Sequence, residues 1–103
     1  MEFEIRNKNL FDLYYKGKSR KYRLSNDVID KFFMRMQQLE ASHNIYDLWK
    51  TVSLNFERLK GYKNRYSVRL TNKWRLEMEI IWNDEEKTIG KIFILEISKH
   101  YGD

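Results

Sequence analysis

The sequence predicts an α+β domain, with N-terminal helices packed on one face of a small, mainly antiparallel sheet. Apolar residues recur at helical spacing through the first half of the chain and alternate every second residue from Tyr66 onward. Helices first and a meander of strands second give two layers around one core. At 103 residues, with 16% aromatic side chains and no proline or Gly/Ser linker, the chain reads as a single domain over residues 1–103 with enough apolar bulk for that core.

Phe3 and Ile5 alternate with Glu2, Glu4 and Arg6, which predicts a short opening strand. Leu10, Leu13 and Tyr14 fall at i, i+3 and i+4, so a helix covers residues 7–15, and Gly17 ends it. A basic connector over residues 16–21 follows. Ser25 stands where an N-cap belongs, with Asp27 opposing the helix dipole in the first turn. Val28, Ile29, Phe32, Phe33, Met36 and Leu39 form the apolar face of a long helix to about Ala41. Asp30, Lys31, Arg35, Gln38 and Glu40 are assigned to its solvent side. Residues 46–49 add one further helical turn. Tyr66, Val68 and Leu70 mark one strand, and Trp74, Leu76, Met78, Ile80 and Trp82 a second, joined by a turn at residues 71–73. A polar turn at residues 83–87 leads to a final strand, residues 91–98. That strand is apolar at nearly every position, which predicts a central strand covered on both faces.

Several classes of function are excluded. With no cysteine there is no disulfide, no thiolate catalysis and no Cys-based zinc site, which suits a reducing cytoplasm. The start carries acids where a secretory signal is basic and then apolar, and no apolar run is long enough to span a bilayer. Cytoplasmic location without a membrane partner is therefore expected. The net charge of +5 favours an acidic partner, either nucleic acid or a protein that mimics it.

The residues suited to chemistry gather in the second half. Lys60, Arg65, Arg69, Lys73, Arg75 and Lys99 are cations near strand ends, interleaved with Tyr62, Tyr66, Trp74 and Tyr101. Cations track phosphates and aromatic faces stack on unpaired bases, so the mixture suits single-stranded RNA. The same pattern also fits an ordinary sheet surface on which arginines pair with Glu77, Glu79 and Glu96 across strands. His43 and His100 are the only histidines, and neither has a second metal ligand at close spacing. His43 sits in a polar helix end and reads as a cap or loop residue. No metal or cofactor is expected. A metal-free cleavage uses the substrate's own 2′-hydroxyl as nucleophile. It needs a base, an acid for the leaving 5′-oxygen, and cations for the developing charge. His100 suits either proton-transfer role, and Lys60, Arg69 and Arg75 suit the phosphate. There is no Gly-rich phosphate loop; Gly61 and Gly90 read as turn or bulge glycines.

Five segments carry a resemblance. Leu13-Tyr-Tyr-Lys-Gly17, Leu59-Lys-Gly61, Tyr66-Ser-Val-Arg69, Trp74-Arg75 and Ile97-Ser-Lys-His-Tyr-Gly102 resemble, in this order, the HigB branch of the RelE superfamily of type II toxin–antitoxin toxins. The resemblance implies a RelE-like microbial-ribonuclease fold. It also implies an endoribonuclease that cuts mRNA in the ribosomal A site. It implies a HigA-type helix-turn-helix antitoxin as partner, and operator DNA bound only through that antitoxin. Lys60, Arg75 and His100 match the family's Lys, Arg and C-terminal His. Two positions depart from it. Glu57 stands where some members carry a second His, and Ser98, Lys99 and His100 stand where some end Asp-Tyr-His. Either Glu57 is the base and His100 the acid, or His100 acts largely alone beside cations, with Tyr101 supplying a phenol. Relatives of the ParE type share the fold and poison DNA gyrase instead. A non-catalytic nucleic-acid-binding module is the remaining alternative.

Overall fold

Local stop signals set the helix bounds. In the computed structural model, which describes residues 1–19 and 21–99, the Asn7 side chain accepts from the backbone N–H groups of Asn9 and Leu10 and opens α1 (Lys8–Lys16). Gly17, at φ +79°, closes it, a left-handed conformation that suits a residue without Cβ. Ser25 caps α2 (Asn26–Ala41) by accepting from the Val28 N–H, and Asn44 caps α3 (Ile45–Lys50). His43 lies between these two helices, its N–H donating to Asp47 at 2.7 Å, as expected of a loop residue. A 3₁₀ turn (Val52–Leu54) then leads into the sheet.

The strands are β1 (Phe3–Ile5), β2 (Glu57–Arg58), β3 (Arg65–Arg69), β4 (Trp74–Trp82) and β5 (Gly90–Lys99), in the spatial order β1-β5-β4-β3-β2. Neighbours are antiparallel except β1 and β5, which run parallel. A bulge between Glu77 and Met78 re-phases β4 against β5. The expected turn at residues 71–73 is present, closed by the N–H groups of Leu70 and Thr71 donating to the Trp74 carbonyl.

Tyr66, Val68, Leu76, Met78, Ile80, Ile92, Ile94 and Ile97 point to one side of the sheet, where they meet Leu10 and Leu13 of α1 and Val28, Phe32, Met36 and Leu39 of α2. Tyr14 ties the helices together, edge-on to Phe32 at 6.0 Å and stacked on Phe33 at 5.6 Å.

Three expectations are corrected. Arg35 is not on the solvent side of α2 but is buried, 5% exposed. The strand β5 is internal yet covered on one face only: its other face carries Lys91, Glu96 and Ser98, with Phe93 shielded by the Arg6 guanidinium at 3.9 Å. Tyr66 belongs to the core. It is 6% exposed, with its ring parallel to Phe56 at 5.1 Å and edge-on to Trp82 at 6.1 Å, so its faces are not available to stack on a base. Its alternation with Val68 on the buried side of β3 is the reason.

Candidate functional site

The sheet face away from the helices presents Arg65, Ser67 and Arg69 from β3, Arg75, Glu77, Glu79 and Ile81 from β4, and Lys91, Phe93, Glu96 and Ser98 from β5. Glu57 joins it from β2, and Glu4 and Arg6 from the β1 side. Its five cations (Arg6, Arg65, Arg69, Arg75, Lys91) are matched by five acids (Glu4, Glu57, Glu77, Glu79, Glu96). The pairing is direct: Arg65 meets Glu77 at 2.9 Å and Glu96 at 3.4 Å, and Glu4 takes Arg6 at 3.3 Å and Lys91 at 3.4 Å. The Arg6 hydrogen bond, followed by that from Lys91, holds the Glu4 carboxyl below its ordinary range. The face is therefore charge-balanced rather than basic, and unpaired bases would meet salt bridges across much of it.

At one end of this face stands Arg75. It is 4% exposed, and its Nε donates to the Ser67 hydroxyl at 2.8 Å. One terminal nitrogen donates to the Asn55 carbonyl at 2.6 Å and the Ser67 carbonyl at 3.3 Å, and lies 3.7 Å from the Glu57 carboxylate. Glu57 itself is half-exposed, 43% at the side chain. The structure thus brings together two sequence-predicted residues, Glu57 and Arg75, as an open carboxylate beside a buried guanidinium. Ser67, which reads as an ordinary serine in the sequence, is fully buried and shares the pleat face with Glu57 directly opposite it in the register.

A second buried guanidinium supports the same corner from behind. Arg35 of α2 donates to the Arg69 carbonyl at 2.7 Å, the Ser53 carbonyl at 3.1 Å and the Gln38 side chain at 2.8 Å. Burial, with repulsion from Arg69 added, pulls it below the usual arginine range. Residues 51–55 are consequently held from both sides, by Arg35 through Ser53 and by Arg75 through Asn55. Asn55 takes a left-handed backbone, φ +45°, which asparagine tolerates better than most residues. Two residues later the chain delivers Glu57.

The remaining predicted residues spread over the rim. Arg69 and Lys73 are exposed at the β3–β4 turn, and the Lys99 ammonium lies over the Trp74 ring at 5.7 Å. These three share the Arg75 end of the sheet. Lys60 does not: it sits in the β2–β3 loop beyond the Arg65 end, where the Leu59 N–H donates to the Arg65 carbonyl and the Arg65 guanidinium covers the Tyr62 ring at 4.7 Å. Arg75 lies opposite Arg69, four residues along β3 from Arg65, a backbone separation of ~13 Å. His100 and Tyr101 lie outside the described residues. Among the described residues no group of three or more His, Asp or Glu side chains is placed to hold a metal ion. No helix is long and apolar enough to cross a membrane.

No protein-family model matches the sequence, and no curated protein matches it. Among solved structures the chain is similar to a YoeB/ParE toxin from Agrobacterium tumefaciens, with a TM-score of 0.58 and 14% identity over 98% of this chain and 100% of that one. The likeness is one of fold: a small α+β domain with three helices and a five-stranded mixed sheet has the architecture of that toxin.

Proposed function

We propose that this chain is the toxin of a type II toxin–antitoxin system, of the HigB kind, and that it cuts mRNA in the ribosomal A site. The observation that carries the reading is the half-exposed Glu57 carboxylate fixed 3.7 Å from buried Arg75, an arrangement suited to a base that must keep its aim. Its fold likeness to a protein described as a YoeB/ParE toxin supports the toxin half of the proposal, and the sequence resemblance supports the nuclease half.

In this reading Glu57 takes the proton from the substrate 2′-hydroxyl. The 2′-oxygen attacks the adjacent phosphorus, the bond from phosphorus to the 5′-oxygen breaks, and His100 supplies the proton that the leaving oxygen takes. The products are a 2′,3′-cyclic phosphate and a 5′-hydroxyl. Arg75 orients Glu57 through its bonds to Ser67 and Asn55. Arg69 and Lys73, at the same end of the sheet, hold the phosphate charge, while Lys99, on the Trp74 side of β5, stays with the flanking strand. Lys60, at the other end, serves the flanking strand. The partners are a HigA-type antitoxin, which alone contacts operator DNA, and the ribosome with its message; the setting is cytoplasmic.

The test is single-turnover cleavage of an mRNA programmed on purified ribosomes, with free mRNA as control and with Glu57→Gln and His100→Ala beside the wild type. Cleavage on the ribosome that both variants lose is the expected result. No cleavage together with inhibition of gyrase supercoiling would replace the nuclease by a ParE-type activity. Neither effect from a folded protein would leave a docking module.

A further inference from the structure

Because the sheet face is charge-balanced, the chain's net charge of +5 resides elsewhere. Much of it converges on one cleft of about 690 Å³ in the helical layer, between α1 and the connector to α2. Lys8, Lys16, Lys18 and Arg23 line it, with Asp12 as its only acid. Asp12 is already engaged by Lys16 at 3.3 Å. Lys8, Lys18 and Arg23 form no ion pair among the described residues.

This concentration is costly to the fold. Lys8 stands in the first turn of α1, where the helix end is itself positive and no acid offsets it. In sequence, residues 16–23 hold five cations and no acid. Local electrostatic conflict without an internal partner points to a ligand of opposite charge.

The lining also selects the kind of anion. No aromatic ring lines the cleft, so it offers nothing for a base to stack on. Tyr22, beside Arg23, is buried and accepts a hydrogen bond from the Asn7 side chain at 3.2 Å, and the exposed rings of α1, Phe11 and Tyr15, pack on each other at 4.6 Å outside the lining. Three of the four cations are lysines, compact point charges that can follow a phosphate backbone without the fixed bidentate geometry of an arginine fork.

We propose that this cleft docks the sugar–phosphate backbone of an RNA duplex, without base contacts, on the opposite layer from Glu57. The surface would hold the protein on a folded RNA while the sheet face stays free for the strand to be cut. The inference rests on RNA as the partner, as proposed above, and not on cleavage.

The experiment measures binding of the whole chain to a fluorescent 16-base-pair RNA duplex by anisotropy across a salt series. The triple variant Lys8→Gln, Lys18→Gln, Arg23→Gln is compared with Lys31→Gln, Lys50→Gln, Lys87→Gln, which carries the same net charge. Thermal melts confirm that both fold, as expected when none of the six side chains is buried. Loss of about three phosphate contacts makes the slope of log affinity against log salt shallower by roughly 2 to 3, and weakens binding by about 10²-fold near physiological salt. The control triple changes far less. Equal losses in both variants would overturn the proposal, since binding would then follow net charge alone. So would an unaltered cleft variant, or a cleft that binds a poly-glutamate peptide and no duplex. A protein that binds duplex RNA through the cleft and cuts nothing removes the nuclease reading and keeps this one.

Discussion

Arg35 offers the sharpest test of how the candidate site is held. It is a buried cation whose hydrogen-bond partners are all neutral: two main-chain carbonyls, of Arg69 and Ser53, the Gln38 side chain and, at 3.9 Å, the Met34 sulfur. Arg35→Met keeps the apolar stem within the helical stripe and deletes the donors. Hydrogen bonds to charged groups contribute about 1.5–3 kcal/mol each, and the two to main-chain carbonyls have no replacement donor in a dry site. The expected loss is about 3–6 kcal/mol, a large share of the roughly 5–15 kcal/mol that stabilises a domain of this size. Arg35→Lys serves one carbonyl and recovers about half. Urea unfolding followed by tryptophan fluorescence measures this, with Gln37→Ala, an exposed neighbour on α2, as a control costing under about 0.5 kcal/mol. A loss under about 1 kcal/mol for Arg35→Met, at unchanged m-value, would refute the reasoning and mean that water replaces the guanidinium.

Other consequences are open to measurement. Glu57→Gln should lower ribosome-dependent cleavage by about 10²–10⁴-fold and leave the melting temperature nearly unchanged, since the side chain is half-exposed; full activity would remove Glu57 as the base. Gly90→Ala should destabilise by about 2–3 kcal/mol, because a Cβ there would stand 2.5 Å from the Ile81 carbonyl oxygen and 2.9 Å from an Ile80 methyl. Gly17→Ala should cost only about 1–2 kcal/mol for its left-handed backbone, having no neighbour within 4 Å, so the reverse order in chemical denaturation would contradict the packing. Asp84 accepts from the N–H groups of Ile89 and Thr88 and from the Thr88 hydroxyl, which hold its carboxyl below the ordinary range. A depressed folded-state value stabilises the protein above the unfolded value of about 4 and ceases to do so as pH falls through the folded one. The melting-temperature advantage of wild type over Asp84→Asn should therefore be present at pH 6 and shrink below pH 4; an advantage that grows on acidification would reverse the sign.

The elements with strong periodicity were legible in the sequence. Asn7, Gly17 and Ser25 mark the ends of α1 and the start of α2, and alternation from Trp74 to Trp82 locates β4 to the residue. The opening strand was legible from its alternation but its parallel partner β5 was not, since a period names no neighbour, and β2, a run of two residues, carries no usable period. Arg35 is a different failure. At ~100° per residue it falls within about 40° of both Val28 and Leu39, in the middle of the apolar stripe, so its position announced burial and only its charge argued against it. The arginines of the sheet face mislead in the opposite way. Arg65 looks like an RNA contact until the register places it beside Glu77 and Glu96.

The two buried guanidiniums explain each other once the segment between them is considered. Residues 51–55 contain a single 3₁₀ turn and a left-handed asparagine, too little regular hydrogen bonding to fix a chain in place. Arg35 enters from the helical layer and reaches Ser53; Arg75 enters from the sheet and reaches Asn55. A lysine at either position has one nitrogen and would bridge fewer partners, whereas a planar fork spans the carbonyl of the segment and a fixed point on β3, Arg69 from one side and Ser67 from the other. Both arginines thus fasten one segment to the same strand, and two residues beyond that segment stands Glu57. Burying two charges to hold a short irregular loop is a poor bargain for stability alone. It is reasonable where the following residue must keep one position on an open, salt-bridged face.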